Sequence, residues 1–401
     1  MTSFALTGPI GTEAARVSIG CSIGVDKTSA LRIEGAAILP TQAKEIAVRV
    51  RSALASAGLP MPAGSVTISI DAFGAKVQAS ALDLPIALAI VGFDGSQLLI
   101  TGELGLDGSV RPVRGAVQAA LLAKAAGLRG ILVPARNGRE ASEAIGDDAV
   151  VVHSIAHLAD LGTPVSVEHL STESAPTASR RAPLPPLLDF ADVRGQAATI
   201  SSVEEAVKAR AGLLLSGSPG TGKTMVARRI PGLLPSMSRD EQIDVTRMYS
   251  ALGLSDGLVT ERPFRAPHHT ISAAALTGGG TPPRPGEVQL ASHGVLFLDE
   301  VHEFARGAIE ALAYVLDRMP SAARPLVVAS TNTCPCGYRD SVVRACSCTA
   351  DTVSRFTARI DWAAAKLGLT IGASVAPTSV EDLRGPPAEP TASIAARIHG
   401  G

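Results

Sequence analysis

An α/β fold in two domains is what the sequence predicts, and three patterns carry that prediction. Within the first 162 residues, strand-like and helix-like runs follow one another as in a compact α+β or α/β domain. Further on, the apolar run Leu213-Leu214-Leu215 feeds the turn Gly217-Ser218-Pro219-Gly220-Thr221-Gly222-Lys223-Thr224, which opens onto a helix-like segment from Met225 to Ile230. A second apolar run, Gly294-Val295-Leu296-Phe297-Leu298, ends in Asp299-Glu300, and a third, Leu326 to Ser330, ends in Thr331-Asn332. Buried parallel strands present their terminal side chains along one sheet edge, so the turn, the two acids and the asparagine are expected side by side.

In the first domain, Val66, Ile68 and Ile70 alternate with Thr67, Ser69 and Asp71, the period of a half-buried strand. Ile46, Val50 and Leu54 recur every fourth residue before Gly58, which predicts an amphipathic helix with a glycine stop. A second helix is expected from Ala116 to Ala126, then a strand at Gly130 to Val133. The apolar stretch from Leu84 to Phe93 is too short to span a bilayer and reads as a buried helix. The segment 163–187, rich in Ser, Thr, Pro and Ala, reads as a linker.

The turn at 217–224 fits G-x-x-x-x-G-K-[ST] in full. A strand, a glycine-rich turn and a helix start together aim several backbone N–H groups and a helix dipole at one point, an arrangement suited to phosphate. Lys223 is then expected to reach the outer phosphates of a nucleotide, and the Thr224 hydroxyl to take a place on Mg²⁺. Asp299 is expected to help hold that Mg²⁺, and Glu300 to polarise an attacking water, the division of labour of phosphoryl transfer to water.

The totals narrow the choice of partners. A formal net charge of −1 with 18% charged residues gives no overall basic field, so nucleic acid must be met by a local patch. Aromatics are only 3%, which argues against a broad base-stacking platform. The N-terminus lacks the basic and long apolar regions of a signal peptide, so the expected location is cytoplasmic. Four of the five cysteines, Cys334, Cys336, Cys346 and Cys348, crowd into one short stretch, which suits a Zn²⁺ site better than a disulfide framework; free thiols and labile disulfides remain the alternatives. Arg339, Arg344, Arg355 and Arg359 flank them as a candidate phosphate-contacting patch.

Two resemblances extend this reading. The segment from Thr101 to Val113, the Ala-rich helix after it and Leu132-Val133-Pro134 resemble Lon-type protease domains, which implies a ribosomal-protein-S5-like fold. Ile86 falls where that family has its nucleophilic serine, and Val117 near its lysine, so acyl transfer has no machinery here. Ser80 and Lys76 are a remote substitute dyad, a solvated loop being the plainer reading. The first domain is therefore expected to be an interaction or assembly module. The second resemblance covers nearly the whole chain. Asp189-Phe190-Ala191-Asp192-Val193, Arg265-Ala266-Pro267-His268-His269 and Cys334-Pro335-Cys336-Gly337-Tyr338, in this order behind a Lon-like domain, resemble the magnesium-chelatase-subunit-I-like AAA+ family and its ComM-type competence proteins.

That resemblance implies a Mg²⁺-dependent ATPase, hexameric in form, that moves along branched DNA. It places Val193 and Gln196 near the adenine, makes Asn332 a γ-phosphate sensor and makes Arg359 the candidate arginine finger for a neighbouring subunit. It implies domains at 1–162 and 188–365, with 366–401 as a tail that begins a helical lid. Two departures stand out, the first bearing on the helicase reading and the second on turnover. Residues 317–323 cross in a few steps a gap where relatives carry a β-hairpin, and the lid arginine would lie beyond Gly401. A nucleotide-binding assembly factor that hydrolyses poorly is the first alternative, and a chelatase-like subunit the second.

Overall fold

The computed structural model describes residues 2–7, 13–25, 30–36, 38–73, 78–146, 150–162, 165–173, 188–280, 283–339 and 344–400. The chain forms two units, Met1–Arg180 with Thr246–Val259 and Thr281–Arg284, and Arg181–Val245 with Thr260–Gly280 and Pro285–Gly401.

The first unit holds strands β1 (Thr2–Thr7), β2 (Glu13–Ile23), β3 (Leu31–Glu34), β4 (Val66–Asp71), β5 (Leu98–Ile100), β6 (Glu103–Leu104), β7 (Val110–Arg111), β8 (Gly130–Pro134), β9 (Val151–Ile155) and β10 (Ser171–Glu173). Eight of them form a mixed sheet in the order β10-β9-β8-β5-β1-β2-β4-β3, and β6 pairs with β7. Its helices are α1 (Pro40–Ser56), α2 (Asp83–Ile90), α3 (Ala116–Ala125) and α4 (Ala135–Ile145). Alternate strand residues feed two cores: Leu98, Ile100 and Leu132 pack with α1 and α2, whereas Leu99, Ile131 and Val133 pack with α3 and α4. Ser171–Glu173, inside the stretch read as a linker, pairs antiparallel with β9, so its backbone belongs to the sheet whatever its composition suggests. Residues 163, 164 and 174–187 of that stretch lie outside the described residues.

The second unit holds a five-stranded, all-parallel sheet in the order β12 (Phe264–Arg265), β13 (Val295–Leu298), β14 (Leu326–Thr331), β11 (Gly212–Ser216), β15 (Leu369–Ser374). Val295, Phe297 and Val328 join a core on one face, while Leu296, Leu298, Val327 and Ala329 join another on the opposite face. Burial on both faces explains why these strands read as unbroken apolar runs. Helix α5 (Ala197–Ala209) precedes β11, and α6 (Lys223–Ala227) follows the glycine-rich turn. Helix α6 is shorter than the apolar pattern to Ile230 suggests, because a 3₁₀ turn with Pro231 follows at Ile230–Leu233. The remaining helices are α7 (Arg239–Ser250), α8 (Ala273–Thr277), α9 (Glu287–Leu290), α10 (Arg306–Arg318), α11 (Ala350–Leu367), α12 (Val380–Arg384) and α13 (Thr391–His399).

Two placements differ from the sequence reading. Leu369–Ser374, expected in the tail, is the edge strand of the parallel sheet and pairs in parallel with β11. The last helix, α13, also packs into this unit: Ile394 is wholly buried, and Thr391 bonds through N and Oγ1 to the Asp189 carboxylate. Between α10 and β14 the described chain makes only a short turn, as 317–323 suggested.

Candidate functional site

The glycine-rich turn leaves β11 at the sheet edge and wraps into the first turn of α6. Gly220 and Gly222 take φ of +81° and +97°, a left-handed conformation that a side chain disfavours. The Lys223 ammonium lies inside the turn, 2.8 Å from the Gly217 carbonyl, 3.0 Å from that of Ser218 and 3.3 Å from Asn332 Oδ1. Burial draws its pKa down, and the charges of Asp299 and Glu300 pull it back up. The Ser218 hydroxyl is buried in the same turn without a hydrogen-bond partner among the described residues.

Strand β13 brings Asp299 and Glu300 to the same edge. Thr224 Oγ1 donates to Asp299 Oδ2 at 3.3 Å, and Asn332 Nδ2 donates to Glu300 Oε1 at 3.5 Å. Lys223, Asn332 and Glu300 thus form one hydrogen-bonded set and Thr224 with Asp299 another, all from the ends of three neighbouring strands, and Ser330 joins the two into one polar network. Glu300 adopts a left-handed φ of +53°, uncommon for a residue with a side chain. Its N–H donates to Ser330 Oγ at 3.0 Å and its carbonyl accepts from Glu303 N at 2.7 Å, which holds the turned backbone in place.

Ser330 is a residue that sequence reasoning missed. Its hydroxyl accepts from Glu300 N and donates to Asp299 Oδ1 in a short hydrogen bond. The signal for it was register: Leu298 lies opposite Ala329, so the next residue of each strand, Asp299 and Ser330, must also meet. Ser330→Ala is expected to raise the Mg²⁺ needed for half-maximal nucleotide uptake about tenfold, the scale of one hydrogen bond to a charged group. A Mg²⁺ titration unchanged from the parent chain would refute that role. His302 was also missed; it is buried with Nδ1 3.2 Å from Thr331 Oγ1 and Nε2 3.3 Å from Glu303 Oε1, and burial lowers its pKa.

Other expected residues lie outside this hydrogen-bonded network. Val193 is wholly buried in the apolar core beside Phe190. The Gln196 side chain is spent on structure: it donates to Ala376 O at 2.5 Å and Thr378 Oγ1 at 3.2 Å, and accepts from Thr199 Oγ1 at 3.0 Å. Arg359 is exposed on α11 and donates to Phe304 O at 3.2 Å, outside the polar network. The rings of His268 and His269 lie side by side, tilted by 34° with centroids 4.1 Å apart.

In the first unit, Ile86 and Val117 are both wholly buried. Ser80 sits half-buried in a 3₁₀ turn at Ala79–Leu82, and Lys76 lies outside the described residues. Asp83, next to Ile86, is closed off by a two-pronged pair with Arg49 at 2.7 and 3.1 Å and by Leu104 N–H at 3.2 Å.

The four clustered cysteines converge. Their sulfurs all lie within 4.8 Å of one another, with Cys334–Cys336, Cys334–Cys346 and Cys336–Cys346 separations of 3.4, 3.7 and 3.6 Å. A tetrahedron of thiolates at the usual Zn–S distance has edges of about 3.8 Å, so the set is of the right size. None of the four is in a disulfide. Backbone N–H groups of Tyr338 and Ser347 draw the Cys336 thiol down to about 6, which favours thiolate, the form that binds metal. Cys348 N–H reaches Cys346 Sγ at 3.4 Å, yet hydrogen bonds among the sulfurs and burial leave the Cys346 and Cys348 thiols raised.

Two family models match the chain. Residues 189–368 match "Magnesium chelatase, subunit ChlI", and residues 25–137 match "Subunit ChlI of Mg-chelatase". An uncharacterized protein of Mycobacterium tuberculosis is 36% identical over 337 residues, 78% of this chain and 65% of the relative. The competence protein ComM of Haemophilus influenzae is 34% identical over 315 residues, 74% of this chain and 62% of the relative. The chain belongs to the ComM-type, magnesium-chelatase-like family. The YifB protein of Escherichia coli is 34% identical over 318 residues, 74% of this chain and 62% of that relative. The chain thus spans 62 to 65% of the length of these relatives. As a family member it carries an AAA+ P-loop domain, the parallel sheet described above. Among the described residues no helix is long and apolar enough to cross a membrane.

Proposed function

We propose that this chain binds ATP with Mg²⁺ at the turn 217–224 and hydrolyses it. The observation that carries the reading is the network of Lys223, Thr224, Asp299, Glu300 and Asn332, joined through Ser330, at one sheet edge. The carbonyls that hold the Lys223 ammonium are neutral acceptors, and phosphate oxygens displace them because a charge-assisted hydrogen bond is roughly twice as strong. The turn's free N–H groups and the unpartnered Ser218 hydroxyl suit the remaining phosphate oxygens. Thr224 Oγ1 and Asp299 would hold Mg²⁺, which neutralises charge on the transferred group when bound. Glu300, half-exposed and steadied by Asn332 and Ser330, takes the proton of the attacking water. Isothermal titration of ATP into the chain with Mg²⁺ present is expected to show one site per chain. Absence of any Mg²⁺-linked uptake sinks the reading.

The larger task follows from likeness to the relatives. A ring of copies, hexameric by resemblance, acts on branched DNA in the cytoplasm, and one relative, from Haemophilus influenzae, is named a competence protein. Arg359, exposed on α11, is the arginine offered to a neighbouring copy. The four cysteines hold structural Zn²⁺, and Arg344, stacked at 5.0 Å over the Tyr338 ring beside them, gives the knuckle a cationic surface for DNA phosphates.

A further inference from the structure

The cysteine loop is built into the walls of the polar network. Cys334 is wholly buried and lies two residues beyond Asn332, whose side chain touches both Lys223 and Glu300. From Cys334 the chain turns back through a hydrogen bond from Gly337 N to Cys334 O at 2.9 Å, with Gly337 at φ +79°. That turn rests on Pro219 of the phosphate loop: a Cβ on Gly337 would sit 2.8 Å from both Cγ and Cδ of the proline ring. On the other side of the same loop, Gly217 N donates to Thr331 O at 3.3 Å. The segment bearing the first two sulfurs therefore joins the strand end that carries Asn332 to the loop that carries Lys223.

We infer that a tetrahedral divalent metal on the four sulfurs clamps the nucleotide site, so that its occupancy sets the affinity for ATP. The inference rests on the reading of 217–224 as an ATP site. The sulfurs, three of them 3.4 to 3.7 Å apart and all four within 4.8 Å, hold one another only through weak S–H contacts, whereas a bound metal fixes all four at once. A fixed turn at 334–337 keeps Pro219 seated and Asn332 aimed at the ammonium. A released turn lets both drift, and ATP must then reorder them as it binds, which lowers its affinity.

The test uses the full chain, loaded with zinc, stripped with a mercurial reagent and desalted, or stripped and reloaded. Zinc content is read with a chromophoric chelator, ATP affinity with a fluorescent ATP analogue at constant Mg²⁺, and loop order by hydrogen exchange of peptides covering 217–224. Stripping is expected to weaken ATP binding about tenfold, within the ordinary range of coupling between two sites, and zinc to restore it. Exchange in 217–224 rises with stripping while β13 stays protected. Gly337→Ala supplies a variant that keeps every sulfur. Its new Cβ meets Pro219, so it is expected to retain full zinc and lose ATP affinity several-fold, and it covers the case in which stripping unfolds the chain.

Equal ATP affinity with and without zinc, or full affinity in Gly337→Ala, overturns the inference while leaving the ATP site standing. A chain that retains no zinc overturns it as well. A zinc-loaded chain that takes up no ATP removes the reading beneath it, and the inference with it.

Discussion

Glu300→Gln is expected to leave ATP uptake intact and to lower phosphate release by a factor of about 10² to 10⁴, the usual contribution of a positioned general base. Gln has the same shape, so its Oε1 still accepts from Asn332 Nδ2, and the backbone of residue 300 keeps its bonds to Ser330 and Glu303. What is lost is the only group in the network placed to accept a proton from water at the open side of the loop, since Asp299 is engaged by Thr224 and Ser330. Binding and turnover measured on the same variant separate the two roles. Matched loss of both would mean that Glu300 shapes the binding site. Unchanged phosphate release would remove it from the chemistry, and a parent chain that binds ATP without releasing phosphate would favour the nucleotide-dependent assembly factor over the motor.

Phosphate chemistry demands particular residue types at fixed spacing, which is why 217–224, Asp299, Glu300 and Asn332 were legible from sequence and meet in space. The resemblance places Gln196 near the adenine; what a linear reading could not assign is its partners, Ala376, Thr378 and Thr199, which take its donors and acceptor. Strand β15 was hidden because its apolar positions, Leu369, Ile371 and Ala373, are few and Gly372 interrupts them. The strand exists through pairing with β11, a long-range gain that local propensity does not contain. The segment Thr246–Val259 belongs to the first unit for the same kind of reason: Gly115 N bonds Ser250 O at 2.9 Å, and Gln118 Nε2 bonds Arg247 O at 2.8 Å. Helix α4 escaped notice because its buried side includes Asn137, Glu140 and Ser142, so the apolar stripe that marks a helix is broken by polar groups.

Those polar groups make a second strong prediction, on stability. Asn137 bonds Val113 N at 2.9 Å and Val113 O at 3.0 Å, and donates to Glu140 Oε1 at 2.6 Å. Burial pushes the Glu140 carboxyl up to about 7 from an ordinary 4.5, against the pull of the Asn137 amide and of the nearby Ser255 and Ser250 hydroxyls, with Oε2 buried and without a hydrogen-bond partner among the described residues, and nearby Asp256 raises it further. The folded state therefore holds this proton more tightly than the unfolded chain does. Below pH 4.5 both states are protonated and no cost arises; as pH climbs from 4.5 to 7 the unfolded chain ionises first and stability falls. Above pH 7 the folded chain carries a buried charge, and the accumulated cost levels off at about 3 kcal/mol. Glu140→Gln keeps an acceptor for Asn137 and replaces the charge with an amide that can donate to the Ser250 and Ser255 hydroxyls. It is expected to stabilise the first unit by about 3 kcal/mol at pH 8 and by about 0.8 kcal/mol at pH 5. The one tryptophan, Trp362, lies in the second unit, so a urea transition seen by far-UV circular dichroism but not by tryptophan fluorescence reports the first. An equal gain at both pH values would show that the carboxyl is already ionised when folded and that its charge is compensated where it lies.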